Sequence, residues 1–302
     1  MADDPLALLR SASAPPRRSI VDLIADGVLD AELAALAGLL VEAHLPVIVG
    51  GRQQGAGKST LLEALLDFLP STTRRIDLAG AAEDFAWLPE AETLGWRPDH
   101  GRGPSQQPAA LPITPATGYL VAVELSEHLP IYTWGRSART LVRAASVGYG
   151  IGATVHADRL EDVHELLRGG PVGLTDDELT YLGLILILRS DPIPGGSIRR
   201  RVVAAHYARP VGRDEHGHTQ RLPPAILAAR DESTGQLEHF SWGVMPELAI
   251  RLGRKAGDLE RDQAERAAFL ASLVSGGTRS VGGVRAAIRE RQMTARSGDR
   301  HH

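Results

Sequence analysis

Residues 50–60 read GGRQQGAGKST, and they follow directly on the apolar run LPVIVG at 45–50. After them comes KSTLLEALLDFL at 58–69, with the apolar spacing of a helix. Strand, glycine loop and helix in that order are the setting of the phosphate-binding loop G-x-x-x-x-G-K-[ST]. The spacing is irregular. Counting back from Gly57 puts Arg52 where the first glycine belongs, and Gly51 stands one residue early. Gly55, Ala56 and Gly57 are expected to turn backbone N–H groups around a β-phosphate, with the helix start adding its positive dipole end. Lys58 brings a point charge to the terminal phosphates, Ser59 a hydroxyl for Mg2+, and Thr60 the next helical amide. The ligands expected are ATP and Mg2+. A front bulge at Arg52 and Gln53 leaves the later residues in place, with Arg52 either a surface charge or a cation near the phosphates.

Around that loop the chain alternates. Residues 1–18 mix Pro, Ser and Arg and read as a tail; two amphipathic helices follow within 19–44, broken at Gly27. TRRIDL, YLVAVEL and IGATVHAD read as strands, RSARTLVRAASVG and LEDVHELLRG as helices, and the stretch at 99–115 as a long Pro- and Gly-rich loop. LGLILILRS and RRRVVAAHYARPV add late strands, and from about Pro246 the sequence is helical. The pattern predicts an α/β fold with a mostly parallel central sheet covered by helices on both faces. The expected division is a core over 19–205 and a C-terminal region of strands and helices over 206–302.

Three further groups have chemistry at a predicted sheet edge. Glu124 ends the strand YLVAV, where it can act as base or water-positioner and help hold the metal; Val123, not an acid, precedes it. His156 ends GATVH and is placed to sense a γ-phosphate. Arg136, Arg139 and Arg143 share a helical face, either solvated or offered to a neighbouring subunit's nucleotide. DEHGH at 214–218 has metal-ligand residue types but no matching second pair.

The 302 residues contain 33 Lys and Arg against 37 Asp and Glu, a net charge of −4, so no global basic field recruits nucleic acid. There is no cysteine, which excludes disulfides and thiolate chemistry. No apolar run reaches membrane-spanning length, and the opening MADD has acids where a signal peptide has basic residues. A cytoplasmic protein is expected, peripheral at the inner membrane face at most. No N-K-x-D segment points to guanine.

Taken in order, VIVGG, GAGKSTLLEALLDFLP, LVAVEL and ASVGYGIGATVHAD resemble the motifs of the ATPase superfamily of type II and type IV secretion, type IV pilus and archaellum assembly. FSWG, ERAAFLASLVSGG and VRAAIRERQ look like the C-terminal region of its archaeal-type branch. The resemblance implies a RecA-like motor core that couples ATP hydrolysis to a membrane-embedded apparatus and forms a homo-oligomeric ring. It matches Lys58 and Ser59 to the glycine loop, Glu124 to the Walker B position, and Gly148, Thr154, His156 and Ala157 to the histidine box. Of the acidic segment it keeps Glu83 as a further catalytic carboxylate. The chain departs from the pattern at Ala79 and Gly80, which stand in acidic places, at Val123, at Tyr149 in place of the first histidine, and in an extra segment, HLPIYTWG. About 40 residues precede the loop, where the family carries a further N-terminal domain. A catalytically weak nucleotide-binding relative and a P-loop kinase acting on a small molecule are the alternatives.

Overall fold

A computed structural model describes residues 17–53, 55–97, 113–213 and 215–298. Most of the tail at 1–18 and of the loop at 99–115, with Asp214 and His301–His302, lies outside them. In chain order the main elements begin with α1 (Ile20–Ala25), α2 (Ala31–Glu42), β1 (Val47–Gly50), α3 (Lys58–Leu66) and β2 (Arg74–Asp77). Next come β3 (Gly118–Leu125), α4 (Arg136–Ala144), β4 (Gly150–Val155), α5 (Leu160–Arg168), α6 (Asp176–Leu179), β5 (Leu184–Pro192) and β6 (Ile198–Tyr207). The chain continues with β7 (Gly212–Arg213), β8 (Thr219–Gln220), β9 (Ala225–Arg230), β10 (Leu237–His239), α7 (Met245–Arg251), α8 (Ala256–Ser275) and α9 (Val281–Gly298).

One eight-stranded sheet has the order β10-β9-β6-β5-β1-β4-β3-β2. From β5 to β2 every neighbouring pair is parallel, and from β5 to β10 every pair is antiparallel. The strand after the glycine loop's own strand is therefore not its neighbour: β4 lies between β1 and β3. This is the RecA-like P-loop arrangement, extended on one side by an antiparallel flank. β1 and β4 are buried throughout, as expected of parallel strands covered on both faces. The expected division at 205/206 falls inside β6, and β9 and β10 carry the same sheet onward.

Two apolar layers enclose the sheet. Leu36, Leu40, Leu61, Leu65, Leu248, Leu270 and Ile288 belong to one, built from α1, α2, α3, α7, α8 and α9. Leu141, Val163, Leu167 and Leu179 belong to the other, under α4, α5 and α6. α2 departs from the amphipathic expectation. Residues Leu33 to Val41 are buried without a break, because α8 packs on the side away from the sheet. Its sequence is apolar all round for that reason.

Candidate nucleotide site

The carboxyl ends of β1, β4 and β3 lie side by side, so the glycine loop, His156 and Glu124 meet at one edge. Gly55 and Gly57 have φ of +77° and +95°, left-handed values that favour glycine, and Gly57 opens α3 with no side chain capping the helix. The first-turn amides of Lys58, Ser59 and Thr60 thus begin a helix without a capping group, which is an anion-binding arrangement. The irregular spacing is absorbed in front. Ala56 N donates to Gln53 O at 3.2 Å, while Gly51 N donates to Val155 O at 3.1 Å and continues the sheet's pairing by one residue. Gly51 itself has no room for a side chain to spare: a Cβ there would stand 3.2 Å from Lys58 Cγ and 3.3 Å from Leu188 O.

Lys58 and Glu124 form the centre. Lys58 Nζ donates to Gly51 O at 2.9 Å and lies 3.6 Å from Glu124 Oε2, and both residues are buried. Burial holds the Lys58 ammonium below the ordinary lysine value, and the Glu124 charge opposes that shift. Glu124 reaches the loop because the pairing of β3 with β4 slips between Ala122 and Leu125, a bulge that re-aims its side chain. Thr154 Oγ1 donates to Val123 O at 2.7 Å and satisfies the carbonyl there. Glu124 Oε1 is buried without an aligned hydrogen-bond partner, although His156 Nε2 comes within 2.9 Å. His156 Nδ1 donates to Arg52 O at 2.9 Å, since a carbonyl only accepts. The histidine therefore bridges the front of the loop and the acid.

The other expected residues have different placements. Arg52 turns outward, 79% exposed, with Nη1 3.4 Å from Asp158 Oδ2; its carbonyl, not its charge, faces the site. Glu83 is buried and takes three donors of its own loop: Ala79 N at 2.8 Å, Phe85 N at 2.9 Å and Trp87 Nε1 at 3.0 Å. Tyr149 precedes β4 at the opposite sheet edge, its hydroxyl donating to Glu90 Oε2 at 3.0 Å or to Ile113 O at 3.1 Å. Arg139 and Arg143 are half-buried, and their guanidinium groups turn onto the protein. Arg139 donates to Val172 O and Pro171 O, and Arg143 to Glu178 Oε1 and Leu94 O, so they staple α4 to its own surroundings. Arg136 donates to Arg97 O.

Some contributors were not legible in the sequence. The extra segment 128–135 lines the acid: Thr133 N donates to Glu124 O at 2.9 Å, and burial with the Glu124 charge pushes the Tyr132 phenol up. It also accounts for Gly80, whose added Cβ would meet Pro130 O at 2.4 Å and Ile131 O at 2.6 Å. No side chain, acidic or otherwise, fits there. Arg200 of β6 lies against the loop, its Nε donating to Gly55 O at 2.8 Å. The signal for it was the run Arg199-Arg200-Arg201 opening an otherwise apolar strand. A cavity of about 670 Å3 adjoins Arg52, His156, His128 and Trp134.

The site fits a nucleotide phosphate with Mg2+ through one orphaned carboxylate oxygen, one buried ammonium and an uncapped helix start. Ser59 and Glu124 are the residues that would hold the metal, whose charge would offset that developing on transferred phosphate. Among the described residues no cluster of three or more His, Asp or Glu side chains forms a separate metal site. His216 and Glu215 of the DEHGH stretch pair with each other at 3.5 Å.

No protein-family model matches the chain, and no curated protein matches it. The X-ray structure of the Legionella pneumophila ATPase DotB is similar at a TM-score of 0.31 and 13% identity, covering 82% of this chain and 58% of that one. The chain thus spans less than two thirds of that ATPase's length. No described helix is long and apolar enough to cross a membrane.

Proposed function

We propose that the protein binds ATP with Mg2+ at the Gly55–Thr60 loop and hydrolyses it with Glu124 as the base. The observation that carries this reading is the buried Lys58–Glu124 pair, 3.6 Å apart, beside an uncapped helix N-terminus. In that arrangement Lys58 neutralises the terminal phosphates, and the Glu124 carboxylate accepts the proton of an attacking water. His156 holds the loop front against the acid, so movement of one is felt by the other. The sequence resemblance supports coupling of hydrolysis to a membrane-associated assembly or export apparatus, in a ring that forms on nucleotide binding, on the cytoplasmic side. Glu83, committed to its own loop, serves to shape the wall.

A slow turnover is the second reading. It is favoured by Gly80, where packing leaves no room for the acid that the resemblance would place there. Calorimetry and phosphate release separate the two. Lys58→Ala is expected to remove most ATP affinity, and Glu124→Gln to keep binding while turnover falls at least ~100-fold, the scale of a lost general base. Unchanged ATP affinity in Lys58→Ala would sink the nucleotide reading. Turnover in the unmodified protein no faster than in Glu124→Gln would leave a binding protein without hydrolysis, and phosphate appearing on an added small acceptor would point to a kinase.

A further inference from the structure

The strands β5 and β6 run well past the edge where the glycine loop begins. β1 ends at Gly50, opposite Ile187, while β5 goes on to Pro192 and pairs with a β6 that starts at Ile198. The resulting hairpin stands over the loop. Ser190 and Arg200 are directly opposed across it, and both turn to the loop: Ser190 Oγ meets Gln53 Oε1, and Arg200 Nε donates to Gly55 O at 2.8 Å. The next residue, Arg201, turns to the other face, where Nη2 lies 3.6 Å from Asp191 Oδ2. The alternation of side chains along a strand thus divides the arginine run, with Arg200 on the loop side.

The contact is close. A Cβ on Gly57 would lie 3.1 Å from Arg200 Cδ and 3.7 Å from Leu188 Cδ2, so the glycine at 57 makes the approach possible as well as the left-handed turn. Arg200 uses only Nε on the protein, and its two terminal nitrogens have no protein acceptor among the described residues. Arg200 Nε lies 3.9 Å from where a Cβ on Gly57 would stand, which places the guanidinium beside the start of a helix that no side chain caps. Guanidinium remains charged at any working pH and presents paired donors in the geometry that phosphate oxygens accept. The site's other cation, Lys58, is partly engaged already by Gly51 O and Glu124.

We propose that Arg200 is the front clamp of the phosphate site: Nε pins the loop at Gly55, and the free terminal nitrogens bind the β-phosphate of the nucleotide. It takes the place that the sequence offered to Arg52. The inference rests on the nucleotide-binding reading and deepens it.

Binding of ATP, ADP and AMP is to be measured by competition with a fluorescent ATP analogue, at several salt concentrations, for the unmodified protein, Lys58→Ala, Arg200→Ala and Arg200→Lys. The clamp predicts that Arg200→Ala loses about 10-fold or more for ATP and for ADP, the scale of a charge-assisted contact, while AMP is unaffected and the salt dependence becomes shallower. Arg200→Lys should recover part of the loss, because it returns the charge without the fork. Equal losses for AMP and ATP, with no recovery in Arg200→Lys, would mean that Arg200 only shapes the loop, and would overturn the proposal. So would unchanged affinity in Arg200→Ala when Lys58→Ala has lost ATP. If the unmodified protein binds none of the three, this inference and the proposed function fall together.

Discussion

At the scale of single residues, two buried glutamates are told apart by what surrounds their oxygens. Both oxygens of Glu83 receive N–H donors, whereas Glu124 keeps Oε1 without an aligned partner beside Lys58 and His156. An amide in place of Glu83 would turn an NH2 group toward N–H donors in a buried site. Glu83→Gln is therefore expected to destabilise the fold by about 1–3 kcal/mol, read from urea unfolding, and to change turnover only through that loss. Full stability with turnover abolished would return Glu83 to the chemistry. The loop shows a comparable division of roles. The meeting of Lys58 with Glu124 was readable from the loop motif and the end of the strand YLVAV, but the sequence had no means of telling that Arg52 contributes a carbonyl. That depends on His156 arriving from β4, 104 positions along the chain. Nor does any local pattern announce the slip in β3 that aims Glu124, since a bulge depends on pairing with another strand.

At the scale of elements, Asp30 shows how one side chain serves two. Oδ1 accepts from Leu33 N at 2.9 Å and caps α2, while Oδ2 lies 2.8 Å from His239 Nε2 on β10. The helix was readable from its apolar run, but β9 and β10 were not, because AILAAR and LEH are short and become strands by pairing with β6 and each other. The hydrogen bond to Asp30 raises the His239 value above that of an ordinary histidine. Asp30, despite its partial burial, is held below the usual carboxylate range by His239 and Leu33 N. The signs follow from linkage. The histidine's contribution is complete below its unfolded value and is lost as pH rises through the folded one; the aspartate's is complete above its unfolded value and is lost as pH falls through the folded one. The pair is thus fully effective between about pH 4 and 6.5, the unfolded values of the two groups. Raising the pH from 6 to 9 should cost about 0.5–1 kcal/mol through this half-exposed pair, and His239→Gln should remove that slope in melts across the range. An identical slope in the variant would assign the pH dependence to other groups. Asp30→Ala should lose more than His239→Gln at pH 6, because the cap goes with it, at about 1 kcal/mol.

At the scale of the whole molecule, the question is whether the C-terminal helices are an appendage or part of the fold. The predicted order of helices after Pro246 holds, and α8 and α9 contribute Leu259, Leu270, Val284 and Ile288 to the same apolar layer as α2 and α3. Helical periodicity gave their existence, while their docking is written in polar anchors that mean little until the partner is in place. Asp67, just after α3 and 6% exposed at its side chain, receives Arg285 Nη2 at 2.5 Å and Nε at 3.1 Å, with Arg17 Nη2 at 3.2 Å. Gln292 Nε2 donates to Phe68 O at 2.7 Å, two residues past the end of the helix that follows the glycine loop. α9 is therefore fastened to the far end of the element whose near end follows the glycine loop. Asp67→Ala removes the acceptor while its arginine partners retain access to water, so the expected destabilisation is about 1–3 kcal/mol, below that of breaking a fully buried pair. The loss should be local in its first effect. Amides of α9 should exchange with solvent markedly faster in Asp67→Ala, those of β4 in the centre of the sheet changing only by the global loss, because local opening draws on the weakest-held element. If β4 and α9 accelerate by the same factor, α9 unfolds only with the core, and the C-terminal region is as integral to the domain as the strands that bear the site.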